Sequence, residues 1–151
     1  MKLHRRHFIS ACVVAVAAPV FAEPATPLVE VWKSPTCGCC KDWIKHVEAN
    51  GFEVRSHDTG NATARARFGV PARYGSCHTA RVGKYTIEGH VPAREIHRLL
   101  KEKPTGIGLA VPAMPIGSPG MDGPAYGNRR DPYDVLLIMA DGSSRIFETY
   151  R

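Results

Sequence analysis

Three cysteines lie within four residues of one another, and this cluster constrains the chain more than any other feature of the sequence. They are Cys37, Cys39 and Cys40, and Cys77 is the fourth cysteine after residue 22. A Cys37–Cys40 bridge closes a very short loop and adds little stability, whereas a bridge between the neighbours Cys39 and Cys40 would be strained. Clustered thiols therefore indicate redox chemistry or a metal site rather than a set of structural disulfides.

The start of the chain has the features of an export signal. Arg5 and Arg6 precede an apolar run, Ile9 to Phe21, that is too short to span a bilayer and stay anchored. Small and apolar residues end this run at Ala22. We therefore predict that residues 1–22 are a cleavable signal and that residues 23–151 form a single domain in the periplasm. The arginine pair fits a twin-arginine leader, and an ordinary Sec leader fits as well.

Length and charge narrow the class of protein. The chain has 151 residues, of which 44% are hydrophobic and 23% charged, as in a small globular domain. The formal charge of +6 is split evenly, because Lys2, Arg5 and Arg6 supply +3 without any acid in residues 1–22. The rest of the chain has no basic run, so binding to nucleic acid is not expected.

Hydrophobic periodicity predicts alternating strands and helices. A strand over residues 28–32 precedes a helix over residues 38–49, whose apolar face contains Trp43, Ile44 and Val47. The later predicted elements are a strand at 52–54, a helix at 62–68, a hairpin of 79–82 and 85–87, a helix from Pro92 to Leu100, and strands at 135–139 and 145–148. The fold class predicted is therefore α/β (α+β), with a central mixed sheet flanked by helices.

This order of elements is that of the thioredoxin-like fold. The segment Thr36 to Lys41 resembles the Cys-Gly-Pro-Cys-Lys segment of thioredoxins, with a cysteine in place of the proline. In that family the first cysteine caps the helix, and the loop before the hairpin faces the Cys-x-x-Cys pair. Gly75-Ser76-Cys77-His78 occupies the place of that loop here. The resemblance thus implies that Cys77 and His78 lie opposite the other three cysteines.

Four thiols exceed what dithiol exchange needs, because that reaction uses one attacking and one resolving sulfur. Thiolates select Cu(I), although zinc and iron–sulfur clusters also accept four of them. The side chains of adjacent Cys39 and Cys40 diverge by about 100° on a helix, which hinders binding to one tetrahedral ion. Several copper ions sharing bridging sulfurs avoid this difficulty. We therefore predict a copper site, with Cys37, Cys39, Cys40 and Cys77 as its primary ligands.

Residues 104–132 form a long segment rich in glycine and proline. Such a length is typical of a lid or binding loop in a compact domain. The segment contains Met114 and Met121, whose thioethers suit Cu(I) in an oxidising compartment. The alternative is that both methionines fill gaps beneath the loop. We interpret them as second-tier ligands or as shields of the sulfur cluster.

Two histidines join the second tier of candidate ligands. His78 adjoins Cys77, and His90 directly precedes the helix that begins near Pro92. The alternatives are a solvated hairpin residue for His78 and a packing or capping residue for His90. We predict surface positions for His46, His57 and His97 and core packing for Trp32 and Trp43.

Six segments, in this order, resemble the CopG-type copper-resistance family, long known as a domain of unknown function. They are Ser34 to Cys40, Ser76 to Ala80, Ile87 to Pro92, Gly108 to Pro112, Met114 to Met121 and Asp131 to Val135. The resemblance covers residues 28–150. It implies a periplasmic thioredoxin-like protein that binds copper through the cysteine cluster and cycles its redox state.

The expected function is thus copper binding in the periplasm for copper resistance, with other copper-handling proteins as partners and no membrane insertion after signal cleavage. An alternative is a thiol–disulfide oxidoreductase with Cys37 as the nucleophile and Cys40 as the resolving thiol. A third possibility is a structural zinc module. The sequence leaves open whether the resting site holds metal or a Cys37–Cys40 disulfide.

Overall fold

The computed structural model describes residues 26–151, and these residues form one seven-stranded sheet with three α-helices. The strands are β1 (Leu28–Lys33), β2 (Glu53–His57), β3 (His78–Val82), β4 (Tyr85–Glu88), β5 (Gly108–Ala110), β6 (Tyr133–Ile138) and β7 (Ser144–Tyr150). The helices are α1 (Gly38–Ala49), α2 (Ala62–Arg67) and α3 (Ala93–Glu102), with short 3-10 turns at Ala72–Tyr74 and Pro124–Tyr126.

The sheet has the order β2-β1-β3-β4-β5-β6-β7. The pairs β1–β2 and β4–β5 are parallel, and the other neighbours are antiparallel. The predicted mixed sheet flanked by helices is confirmed. The more specific thioredoxin-like assignment stays a prediction. Because Lys33 at the end of β1 pairs with His78 at the start of β3, this topology places residues 34–40 beside Cys77.

One face of the sheet forms the main core. Burial alternates along β1, and Val29 and Val31 point toward α1 and α3. Trp43 of α1 and Ile96 and Leu99 of α3 pack against them and are fully buried. Each such side chain contributes about 1.5–3 kcal/mol when removed from water. The helices that carry or flank the cysteines are therefore fixed by ordinary hydrophobic packing.

The opposite face is covered over part of its area by α2 and the segment that follows it. A second apolar cluster contains Val70, Tyr74, Ala110 and Ile138. Trp32 lies half-buried on this face, where its ring stacks on His57 at a centroid distance of 4.8 Å. The two tryptophans consequently lie on different faces of the sheet.

A buried carboxylate fixes α3 against the last strand. Glu95 is fully buried, and its Oε1 accepts a hydrogen bond of 2.9 Å from the Tyr150 hydroxyl of β7. Arg94 donates to the same oxygen at 2.7 Å, and an Arg98 guanidinium nitrogen lies 3.2 Å from Oε2. Charged partners compensate the burial of this carboxylate.

The glycine- and proline-rich segment after residue 104 is not all loop, contrary to the sequence prediction. Its residues Gly108–Ala110 form β5, a strand between β4 and β6 inside the sheet. All three residues are buried, so they show no alternation, and three residues are too few to give a periodic signal. Gly108 is needed here because a Cβ atom would overlap the Thr86 carbonyl.

The predicted export signal, residues 1–22, lies outside the described residues. Within residues 26–151, no helix has the length and apolar character needed to cross a membrane.

Candidate metal centre

Cys37, Cys39 and Cys40 occupy the start of α1, where β1 has ended in a turn. Cys37 is the N-cap residue with an extended backbone. Cys40 shares the buried side of the helix with Trp43 and Val47, while Cys39 is half-buried. This difference follows from the helical spacing, because Cys40, Trp43 and Val47 are three and four residues apart. Cys37 therefore occupies the helix-cap position that the resemblance to thioredoxins implied.

A disulfide joins Cys37 to Cys40, with their Cα atoms 5.3 Å apart. Cys39 and Cys77 are free thiols. The structure thus represents the oxidised form of the site, one of the two states that the sequence left open.

The four sulfurs that were predicted to converge do lie together. Cys39 Sγ is 3.6 Å from Cys37 Sγ and 3.8 Å from Cys77 Sγ. Cys40 Sγ lies 3.7 Å from the Cys77 carbonyl oxygen. All four sulfurs are within 4.8 Å of one another. Cys77 therefore faces the helix start, as its place before the hairpin implied.

Two imidazoles lie against the other side of Cys77. His90 Nε2 is 3.1 Å and His78 Nδ1 is 3.5 Å from Cys77 Sγ. The second nitrogen of His90, Nδ1, lies 2.8 Å from the Pro119 carbonyl oxygen and donates to it. That hydrogen bond leaves the Nε2 lone pair of His90 directed at the sulfur, which is how outer partners orient metal-binding histidines.

Burial keeps the metal-free site uncharged around Cys77. Burial, followed by the neighbouring Cys39, raises the pKa of the Cys77 thiol to about 12. Burial also lowers the pKa of His90, and burial followed by His90 holds the pKa of His78 well below its usual value. A metal ion that binds here would displace thiol protons, so its affinity would rise with pH.

Trp43 forms one wall of the site. Its ring lies 4.3 Å from the His78 ring, and its Nε1 donates a 2.9 Å hydrogen bond to the Val91 carbonyl. His78 is fully buried, and its Nε2 has no hydrogen-bond partner among the described residues. An unsatisfied buried nitrogen is unusual and is a group that a bound ion can satisfy.

The long segment reaches the site mainly through its backbone. Pro119 accepts the hydrogen bond from His90, and Gly120 packs against the first turns of α1. Met121 is largely buried, with its sulfur 3.4 Å from the Tyr126 hydroxyl oxygen. Met114 is 47% exposed. The predicted roles of both methionines as ligands or shields stay predictions.

The residues that hold the Cys77 loop were not predicted from the sequence. Glu88 at the end of β4 accepts a 2.7 Å hydrogen bond from the Ser76 backbone N–H and a 2.8 Å hydrogen bond from Arg65. Asn61 donates to the Ser76 carbonyl at 3.1 Å. The one available signal was a glutamate at the end of a predicted strand, since buried acids are rare unless they are paired.

The three histidines assigned to the surface lie outside the sulfur cluster. His57 stacks on Trp32, and His97 stacks on Phe52 at 4.3 Å. His46 and His57 differ from the prediction because both are half-buried. His46 accepts a 3.1 Å hydrogen bond from the Ala93 backbone N–H. It thereby links α1 to the start of α3.

Comparison with known proteins agrees with this arrangement. Residues 74–121 match the family described as "Protein of unknown function, DUF411", a stretch that contains Cys77, His78 and His90. A solved structure of copper resistance protein CopG, form 2, is 41% identical, with a TM-score of 0.77, and the match covers 84% of this chain and 100% of that one. Form 1 is 43% identical with a TM-score of 0.76, covering 83% and 98%.

The chain belongs to the CopG family. The predicted resemblance is thus confirmed over most of the chain. No curated protein sequence matches it. In this CopG-family protein, the match to the family of unknown function covers residues 74–121 alone, so Cys37, Cys39, Cys40, β6 and β7 all lie outside that match.

Proposed function

We propose that this protein binds copper in the periplasm and acts in copper resistance. The observation that carries the proposal is the convergence of four sulfurs from two distant segments, with two imidazoles against the same Cys77. Thiolates and imidazoles are soft or intermediate ligands that suit copper better than they suit Mg²⁺ or Ca²⁺. The two similar structures are both of copper resistance protein CopG, which supports the same metal.

The site is proposed to hold Cu(I), and more than one ion. Cys77 belongs both to the four-sulfur group and to a second group with His78 and His90. An ion bound among the sulfurs and an ion bound by the imidazoles would therefore share its sulfur as a bridge.

The disulfide supports a redox role for the site. Reducing the Cys37–Cys40 bond to two thiols takes up two electrons and two protons. Two Cu(I) ions can supply these electrons and become two Cu(II) ions, and the reverse reaction restores the disulfide. Cys39 and Cys77 stay thiols throughout and keep metal ligands in place in both states.

Copper titration of the mature protein tests the proposal. Fully reduced protein should show four reactive thiols, the disulfide form two, and the reduced form should bind Cu(I) in competition with a chromophoric chelator. Cys77→Ser should lower the copper stoichiometry, whereas Thr36→Ala, which removes an exposed hydroxyl next to Cys37, should not. Unchanged stoichiometry in Cys77→Ser would contradict the proposed site.

The disulfide also supports the second candidate function, a thiol–disulfide oxidoreductase. Cys37 is half-buried at the helix N-terminus, a position that favours a thiolate, and Cys40 lies buried behind it. In this case Cys77→Ser should retain full dithiol exchange with a model disulfide substrate. A Cys77→Ser protein that loses copper binding but retains dithiol exchange would show that the two activities are separable.

The methionines are proposed to limit the oxidation of bound copper rather than to create the site. Met121 is buried beside Tyr126, one residue from Gly120, which packs on α1. The double variant Met114→Leu/Met121→Leu should therefore keep its Cu(I) stoichiometry but lose Cu(I) faster in air. An equal rate of loss in the variant and the parent protein would remove the methionines from the proposal.

A further inference from the structure

We propose that Glu88 and Arg65 form a clamp that positions Cys77 for metal binding. Neither residue touches a sulfur, so both are positioning residues. The inference deepens the proposed function, because the metal is the ligand whose binding the clamp serves.

The clamp acts on the peptide groups that flank Ser76. The Ser76 N–H donates to Glu88 Oε1 at 2.7 Å, and the Ser76 carbonyl accepts hydrogen bonds from the Arg65 guanidinium and from Asn61. Both backbone polar groups of the residue before Cys77 are thus bound by side chains. These hydrogen bonds fix the backbone from which the Cys77 side chain projects.

Hydrogen bonds within the clamp hold Glu88 and Arg65 in place. Glu88 is fully buried, and its Oε1 also accepts a 2.8 Å hydrogen bond from Arg65 Nε. Its other oxygen, Oε2, accepts a 2.6 Å hydrogen bond from the Thr79 hydroxyl. Arg65 therefore bonds to Glu88 and to the Ser76 carbonyl at once, and the planar guanidinium fixes their relative positions.

Residues at and just after the end of β4 contact both the backbone before Cys77 and the Cys77 sulfur. Glu88 accepts a hydrogen bond from the N–H of Ser76, the residue before Cys77, and His90 Nε2 lies 3.1 Å from the Cys77 sulfur. Gly89 between them has a φ of +71°, and a Cβ there would lie 2.6 Å from the Val111 carbonyl oxygen. The backbone of residues 88–90 is therefore closely fitted to the Cys77 loop.

A purely structural role is the alternative, since Glu88 also ties α2 to the sheet through Arg65. Glu95 offers a matched comparison. It is likewise fully buried and paired with arginines, but it binds α3 to β7. Removing either carboxylate should lower the melting temperature, whereas only the loss of Glu88 should weaken metal binding.

The decisive experiment compares two arginines of the same helix. Arg65→Met removes the contacts to Glu88 and Ser76, while Arg67→Met removes a guanidinium that lies 5.5 Å from the Phe68 ring. Cu(I) affinity is measured on the reduced mature protein by competition with bathocuproine disulfonate. Arg65→Met should weaken Cu(I) binding by about 10–100-fold, the usual effect of losing a partner that orients a ligand. Arg67→Met should leave the affinity unchanged.

A second pair of variants tests Glu88 itself. In Glu88→Gln the amide oxygen can accept from Ser76 and Arg65, while the amide nitrogen can donate to the Thr79 hydroxyl oxygen. This variant should retain the Cu(I) affinity, whereas Glu88→Leu should lose it to the same extent as Arg65→Met. Glu95→Leu should lower the melting temperature without lowering the affinity. If Glu88→Leu does not fold, the comparison of the two arginine variants decides.

Failure of the clamp and failure of the proposed function give different results. If the parent protein binds Cu(I) and Arg65→Met binds it equally well, the clamp is overturned and the proposed function stands. If the parent protein binds no Cu(I), the proposed function fails, and the clamp is judged by the rate at which iodoacetamide alkylates Cys77. Faster alkylation in Arg65→Met than in Arg67→Met supports the clamp, and equal rates overturn it.

Discussion

At the scale of single residues, Gly120 shows how closely the long segment fits the cysteine helix. Its φ is +84°, and a Cβ built there would lie 2.6 Å from the Cys39 carbonyl oxygen and 2.7 Å from the Trp43 nitrogen. Only glycine permits both this backbone conformation and this approach. The neighbouring Pro119 can therefore reach His90 with its carbonyl.

Gly120→Ala should consequently destabilise the fold more than the same change at Gly51. Gly51 has almost the same φ, +86°, but open space around its Cα, so Gly51→Ala should cost about 1–2 kcal/mol from backbone strain alone. Gly120→Ala adds overpacking against α1, typically about 1–3 kcal/mol more. Urea unfolding at neutral pH measures both changes. Equal losses would contradict the close contact.

Residue-level prediction succeeds where the chemistry is local in sequence. Cys37, Cys39 and Cys40 indicate the site because three thiols in four residues have few other uses. Glu88 and Arg65 could not be assigned, because their contact joins residues 23 positions apart and depends on packing. The oxidation state of Cys37 and Cys40 depends on the redox potential of the compartment, so the spacing of the cysteines does not predict it.

At the scale of elements, the contact between α1 and α3 depends on His46. Pro92, the N-cap residue of α3, makes no side-chain capping bond, and His46 Nε2 accepts the Ala93 N–H instead. Burial lowers the pKa of His46, and the negative charge of Asp122 partly opposes this. The neutral imidazole is the form that can accept this hydrogen bond.

The stability of the fold should therefore fall in mild acid. The folded state holds the pKa of His46 below its unfolded value of about 6.5, so the unfolded chain binds more protons as the pH falls. The contribution of His46 to this loss begins near pH 6.5 and levels off below its folded pKa. His78 and His90, whose pKa values burial also lowers, add to the loss in the same direction. Urea midpoints between pH 7.5 and pH 5 measure it, and His46→Gln should reduce the pH dependence. An unchanged dependence in His46→Gln would contradict the role of His46.

Elements with a clear period were predictable, and short buried ones were not. The bounds of α1 were predicted as 38–49 and are found as Gly38–Ala49, because Trp43 and Val47 mark one face and Asn50-Gly51 ends the helix. β2 extends beyond its predicted end at residue 54 to His57, over largely exposed positions without an apolar alternation. β5 has three buried residues and no periodic pattern.

At the scale of the whole molecule, the main hydrophobic core and the candidate metal centre are built from different side chains. The main core contains Val29, Val31, Ile96 and Leu99, none of which offers a metal ligand. The cysteines lie at the start of α1 and directly before β3, so they depend on the core for their positions. A structural zinc module would show the reverse dependence.

The metal-free, reduced protein should accordingly stay folded. Prolonged treatment with a chelator and a reductant should leave the far-ultraviolet circular dichroism unchanged and retain a cooperative thermal transition. Loss of the fold on chelation, together with zinc in the purified protein, would favour the structural zinc module instead. Addition of Cu(I) should raise the transition temperature, because a ligand that binds only the folded state stabilises it.

The contact between the Trp43 and His78 rings gives the protein an intrinsic optical reporter. One of the two indoles lies 4.3 Å from an imidazole that borders the sulfur cluster, while the other, Trp32, lies on the far side of the sheet beside His57. A paramagnetic or heavy ion near His78 should quench the emission of Trp43 and spare that of Trp32. Fluorescence of the unlabelled chain, with Trp32→Phe to isolate the informative ring, would then follow occupancy in real time.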